Sequence, residues 1–223
     1  MCSTKSVYKQ SKILSLTGAL AVLICAALVR PHTAQAEVVW KLAPARSSIQ
    51  FTVSHFVLME VTGKFRASEA VVVTPSLEDF SNAKVQATIP ISSIYTGNSD
   101  RDTHLKKEEF FFVDKYPAMV FQSTKVVKRK DGNYEMYGEL TIRGVTRPIT
   151  FQVEHVAHKL SNSGKARSKF KAVGKLNRYD YGLKWNDLTE AGAMVVGEEV
   201  EIEMDVALVQ EGEQSTVAQL TTE

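Results

Sequence analysis

Apolar and polar residues alternate along most of the chain beyond residue 37, and the alternation is clearest near the C-terminal end. In 199–208, Val200, Ile202 and Met204 are each followed by an acidic residue. A strand with this two-residue period buries one face and exposes the other. The same period occurs in the segments 48–56, 134–143 and 149–154.

Other segments have the composition of strands, and turn residues separate several of them. These further predicted strands are 38–43, 61–73, 84–90, 118–127 and 167–176. About eight or nine strands without an internal linker predict one all-β antiparallel domain, either a sandwich or a closed barrel.

Residues 99–112 interrupt the alternation. Ser99 stands three residues ahead of Asp102, an arrangement similar to a helix-capping box, and good helix formers follow. We therefore predict a short helix over one end of the barrel, with Leu105 and Phe112 on one face. Phe110 is expected to anchor this segment to the barrel.

The first 36 residues have the pattern of an export signal. A basic start precedes an uncharged, mostly apolar run at 13–29, and Ala34-Gln35-Ala36 follows. This order predicts a secretory signal peptide, residues 1–36, that is cleaved after Ala36. The alternative is an N-terminal membrane anchor, but the run has 17 residues, fewer than the roughly 20 that span a bilayer. We expect a periplasmic protein, or a secreted one where no outer membrane exists.

Composition narrows the possible classes. The chain has 223 residues, of which 44% are hydrophobic and 23% charged, which excludes collagen-like, low-complexity and multi-span membrane proteins. Cleavage removes four basic residues and no acidic one, so 27 basic and 25 acidic residues become 23 and 25, a net charge of −2. This charge gives no reason to expect a nucleic-acid partner, and no stable membrane span is expected after cleavage. The predicted mature chain consists of a domain at 37–209 and a polar tail at 210–223.

Candidate chemistry is sparse. Both cysteines, Cys2 and Cys25, leave with the predicted signal peptide, so we expect no disulfide, cysteine nucleophile or thiolate-bound metal. His155 and His158 are three residues apart, which places them on opposite faces of a regular strand and argues against a metal site. No nucleophile motif is present, so we predict no catalytic residue, no metal site and no enzyme activity.

The residues predicted to face inward carry almost no charge. They are Phe51, Val53, Phe65, Ile89, Met119, Phe121, Leu140, Ile142, Phe151, Val153, Phe170, Ile202 and Met204. His55 also points inward by alternation, either as a core histidine or as a polar contact at a cavity mouth. About eight strands enclose just enough space for side chains or for one small ligand. Periodicity alone leaves both a filled core and a ligand cavity open.

Several ordered motifs resemble one family over 40–209. They are WKLAPARSSIQFTVSHF, ISSIYTGNSDRDTHLKKEEFFFVDKYPAMVFQST, GELTIRGVTRPITF, LNRYDYG and VVGEEVEIEMDVAL. Together they are similar to the YceI-like family of exported proteins. The resemblance implies a lipocalin-like antiparallel eight-stranded barrel with a short helix that binds polyisoprenoids or similar lipids. One departure is Ala45-Arg46-Ser47, where many members have a histidine, so a contact by that histidine is not carried over.

The resemblance also implies a site. His55, Arg101 and His104 are expected at a polar mouth, and Arg178 is the candidate for an anionic head group. The structural alternatives are that Arg101 and Asp102 fix the helix start, and that Gly144 and Gly182 form turns. Phe110 and the inward-facing residues, apart from Val153, complete the predicted ligand contacts.

The predicted function is binding, sequestration or carriage of an elongated apolar lipid, with that lipid as ligand and no cofactor. The alternatives are a hydrolase or isomerase that acts on a lipid in the same cavity, and a filled structural barrel with a protein partner. A homodimer is a further expectation.

Overall fold

Antiparallel strands dominate the structure, a computed structural model that describes residues 37–55, 59–161, 164–186 and 195–211. The predicted signal peptide and residues 212–223 of the predicted tail lie outside the described residues. The strands are β1 (Val38–Leu42), β2 (Ser48–His55), β3 (Met59–Phe65), β4 (Glu69–Thr74), β5 (Lys84–Pro90), β6 (Ile94–Tyr95), β7 (Ala118–Lys128), β8 (Tyr134–Ile142), β9 (Val145–Leu160), β10 (Ala166–Asn177) and β11 (Val196–Gln210); the helix is α1 (Ser99–Leu105).

Eight of these strands close into a barrel. Their order is β1-β4-β5-β7-β8-β9-β10-β11, and β11 pairs back with β1. The predicted antiparallel eight-stranded barrel with a short helix is therefore confirmed, and the sandwich is excluded. After a 3-10 turn at Pro44–Arg46, β2 pairs with β11 and continues into β3 and β6, a three-stranded group here called the wing. Phe51 in β2 and Phe65 in β3 pack against the barrel core.

Two predicted boundaries are wrong. The single strand predicted at 61–73 is interrupted between Phe65 and Glu69, since β3 pairs with β2 whereas β4 pairs with β1 and β5. The predicted helix ends at Leu105 instead of residue 112. Phe112 has a positive φ of 53°, so it cannot share a helical face with Leu105. The helix begins after Asn98, whose side chain accepts a hydrogen bond from the Arg101 amide at 3.0 Å.

A β-bulge in β9 overturns the predicted arrangement of two histidines. His155 pairs with Phe170 while Ala157 pairs with Lys169, so Val156 is an extra residue in the ladder. The bulge reverses the alternation, and the rings of His155 and His158 lie on the same side, 6.5 Å apart between centroids. A regular strand would have separated them.

Aromatic side chains close the barrel end at which these histidines lie. Trp40 is fully buried, and its indole Nε1 donates to the Thr74 hydroxyl at 2.8 Å. Phe80, from the connection between β4 and β5, packs on Trp40 at 5.2 Å and on Phe170 at 4.8 Å between centroids. His155 stacks on the same Phe170 ring at 4.7 Å. We call this group the closed end.

We expect the closed end to lose stability in mild acid. His155 Nε2 is buried without a hydrogen-bond partner among the described residues. Burial, and then the charge of His158, lower the pKa of His155, and Lys128 adds to this effect. The unfolded imidazole takes up its proton near pH 6.5, before the folded one does, so stability should fall as the pH drops from 7 to 5.

His155→Phe keeps a ring on Phe170 and removes the titrating group. We expect urea unfolding of this variant at pH 7, 6 and 5 to show a smaller loss of stability with acid than the unmodified protein shows. An equal loss in both proteins would contradict this assignment.

Candidate ligand-binding cavity

The barrel encloses a cavity of about 280 Å³ whose walls are apolar over nearly their whole surface. Every barrel strand contributes at least one lining residue, β1 only through Leu42 at its end, and the segment after α1 contributes as well. The cavity lies between the closed end and the opposite end, at which α1 is found. The described interior is therefore hollow in its middle, which settles the choice left open between a filled core and a cavity.

Most of the residues predicted to contact a ligand line this cavity. They are Phe51, Val53, Phe65, Ile89, Phe110, Met119, Phe121, Leu140, Ile142, Phe151, Phe170, Arg178, Ile202 and Met204. That they contact a ligand stays a prediction. Strand alternation identified the apolar ones other than Phe110, because their strands are regular over these positions.

The predicted polar mouth is not assembled at the cavity. His55, Arg101 and His104 are not among the lining residues. His55 is half-buried at the end of β2, opposite Val196. His104 Nε2 lies 2.8 Å from Glu109 Oε1, and its ring contacts Trp185 edge-on at 5.1 Å.

Arg101 and Asp102 hold the start of the helix, as the structural alternative proposed. They do so through a shared partner, Thr96. Arg101 donates to the Thr96 hydroxyl at 2.8 Å and to its carbonyl at 2.9 Å. Asp102 accepts from the Thr96 amide at 2.9 Å and from its hydroxyl at 2.6 Å.

The segment 99–113, here called the lid, covers the end opposite the closed end. Leu105, Phe110 and Phe111 from the lid line the cavity. Arg143 holds the lid from the turn between β8 and β9, with one guanidinium nitrogen 2.8 Å from the Glu108 carbonyl and another 2.6 Å from the Gly182 carbonyl. Gly144 and Gly182 form turns as expected, because both have the positive φ that favours glycine, 74° and 75°.

Arg178 lines the cavity, but its donors point into the protein. Nε and both terminal nitrogens donate to the carbonyl oxygens of Leu183, Trp185, Val196 and Gly197 and to the Tyr179 hydroxyl. These bonds use all five N–H donors of a guanidinium. Arg178 is also only 4% exposed. It therefore joins the segment 183–185 to the start of β11 and has no donor left for an anionic head group, contrary to the interpretation from sequence.

The sequence interpretation missed a polar rim. Ser47, Gln50, Ser68, Glu69 and Asp205 line the cavity where β1 passes into β2 and β3 into β4. Glu69 and Asp205 are exposed, so the cavity reaches the protein surface here. The rim was missed because 61–73 was treated as one strand.

A YceI-like domain matches residues 40–208. The chain belongs to the YceI-like family. A UPF0312 protein of Staphylococcus aureus (strain N315) is 35% identical over 160 residues, which cover 71% of this chain and 90% of that protein. A solved Campylobacter jejuni YCEI protein has 28% identity and a TM-score of 0.62, over 72% of this chain and 90% of that one.

A polyisoprenoid binding domain from Saccharophagus degradans, implicated in plant cell wall breakdown, shares the fold. Its TM-score is 0.55 at 15% identity, over 77% of this chain and 98% of that one. In the described part of this YceI-like protein, no helix is long and apolar enough to cross a membrane. The same residues contain no group of three potential metal ligands.

We expect Arg178→Lys to destabilise this YceI-like protein by about 3 kcal/mol, because an ammonium group cannot serve four separated carbonyl oxygens and a hydroxyl. Urea unfolding measures this loss. Arg167→Lys is the matched control, since Arg167 is exposed on β10, the strand that leads into Arg178, and should change stability by less than about 0.5 kcal/mol. Equal effects of the two substitutions would argue against a stabilising role for the five hydrogen bonds of Arg178.

Proposed function

We propose that this YceI-like protein is exported to the periplasm and there binds, and sequesters or carries, an elongated apolar lipid of the polyisoprenoid kind inside its barrel. The observation that carries the proposal is the apolar cavity enclosed by the barrel. The related fold of a solved polyisoprenoid binding domain supports it.

Hydrophobic burial supplies the affinity in this proposal. Each methylene that leaves water contributes about 0.8 kcal/mol, and the ordering of the chain offsets part of that gain. The cavity extends from the rim to Phe80 and Phe170 at the closed end. The tail therefore lies toward the closed end and the head group lies at the rim.

The lining favours a neutral head group. Among the described residues, Arg178 is the only cationic side chain that lines the cavity, and its donors are all taken by protein atoms. Glu69 and Asp205 at the rim repel a phosphate or carboxylate. A hydroxyl or similar uncharged head group avoids this repulsion.

Binding is better supported than catalysis. None of the described histidines or lysines lines the cavity, so the rim serines have no neighbouring base of the usual kind. The His104–Glu109 pair lies outside the lining. The hollow interior also argues against a purely structural barrel.

Native mass spectrometry of the protein purified from its own periplasm tests the lipid proposal. We expect a reproducible added mass that organic extraction identifies as a neutral lipid. Met204→Glu places a carboxylate on the cavity wall, so the folded variant should lose at least about 90% of the lipid, as expected for burial of an unpaired charge. Val120→Glu adds the same charge at an exposed position of β7 and should retain the lipid.

A second wall variant, Leu140→Glu, guards against a folding defect in the first, and circular dichroism checks the fold of each. Lipid retained equally by the wall variants and by Val120→Glu would rule out this cavity as the binding site. Absence of any added mass in the unmodified protein would overturn the proposed function.

Export has its own test. N-terminal sequencing of the periplasmic protein should give a mature chain that begins at Glu37. A mature chain that still begins at Met1 would refute cleavage.

A further inference from the structure

Three phenylalanine rings of the cavity wall lie directly over glycines of neighbouring strands. A Cβ atom at each glycine would come within 2.6 Å of a ring carbon, closer than any real contact. The pairs are Gly63 with Phe51, Gly138 with Phe121 and Gly174 with Phe151.

Backbone geometry does not require these glycines. None of the three belongs to the glycines with positive φ, and each lies within a strand, where glycine weakens the sheet. The three positions are also buried. What they provide is space for a ring.

Strand register explains how Phe51 and Phe151 use this space, because each stands directly opposite its glycine. Gly138 is opposite Ser123 instead, so Phe121 reaches it diagonally. Gly63 pairs with Phe51, Phe51 with Ile202, Ile202 with Gly174 and Gly174 with Phe151. Side chains directly opposite one another in a sheet have Cβ atoms about 5 Å apart. A ring can therefore lie flat over its neighbour only when that neighbour has no side chain.

We propose that Gly63, Gly138 and Gly174 set the width of the cavity. Each glycine leaves space for a phenylalanine ring that would otherwise project into the cavity. Together the three glycines keep the cavity wide enough for a chain with methyl branches. This inference rests on the proposed function, whose polyisoprenoid ligand carries regular methyl branches, and adds which residues make room for those branches. An unbranched chain is narrower, so its affinity depends less on the width of the cavity.

Gly63→Ala is the cleanest test, because the three nearest atoms to its added methyl all belong to the Phe51 ring. Gly138 and Gly174 also approach backbone carbonyls, so substitutions there would strain the sheet itself. In Gly63→Ala the ring must turn into the cavity. A crystal structure of the lipid-free variant should show Phe51 displaced and the cavity smaller.

Two saturated alcohols that differ only in their methyl branches, phytanol and hexadecanol, probe the width. For Gly63→Ala we expect phytanol affinity to fall by about tenfold or more, the usual effect of a group that no longer fits. Hexadecanol affinity should change by less than about threefold. Gly63→Ala combined with Phe51→Leu removes the displaced ring and should restore phytanol binding. Glu60→Ala, at an exposed position of β3, is the control for unrelated effects on this strand.

An equal loss for both alcohols, or no recovery in the double variant, would overturn the proposal. An undisplaced Phe51 ring in the crystal structure would overturn it as well. These outcomes are separate from a failure of the proposed function, since ring position and alcohol binding are measured on lipid-free protein. A displaced ring with selective loss of phytanol supports the width role even if the periplasmic protein carries no lipid.

Discussion

The architecture depends on one long strand that pairs with two partners placed end to end. The last residues of β11 bind β1, and the rest of β11 binds β2. β1 closes the barrel against β4, while β2 begins the wing, whose Phe51 and Phe65 form part of the cavity wall. Glu69 and Ala70 at the start of β4 are then left without a partner in β1. This gap in the ladder coincides with the polar rim of the cavity.

A hollow barrel forgoes the contacts that a filled core would make, so its stability must come from elsewhere. Two clusters of buried side chains supply it, one around Trp40 and Phe80 and the other around Ile91 and Tyr181. Side chains between these clusters, such as Met136, are only partly buried. The packed clusters fix the walls, and the rings that lie over glycines keep the space between the walls open.

Regular strands could be predicted from the sequence, and departures from regularity could not. Ile202 and Met204 face the cavity because β11 keeps its two-residue period there. His155 and His158 were misplaced by a single extra residue, which hydropathy does not reveal because a bulge depends on both strands of the pair. The helix was predicted too long because propensity favours residues 106–109, whereas non-local contacts from Arg143 shape this segment.

Arg178 shows why charge in a sequence does not identify a ligand site. Its acceptors are carbonyls from Leu183 to Gly197, and nothing local in the sequence marks them as partners. Once these bonds form, the described residues of the cavity wall offer no available cation, and their other formal charges are those of Glu69 and Asp205 at the rim. In the proposed function the barrel thus separates two tasks, since apolar contact along the wall would determine affinity and the rim would determine which head groups are accepted. A change at the rim should therefore alter head-group preference without altering the chain that the cavity accepts.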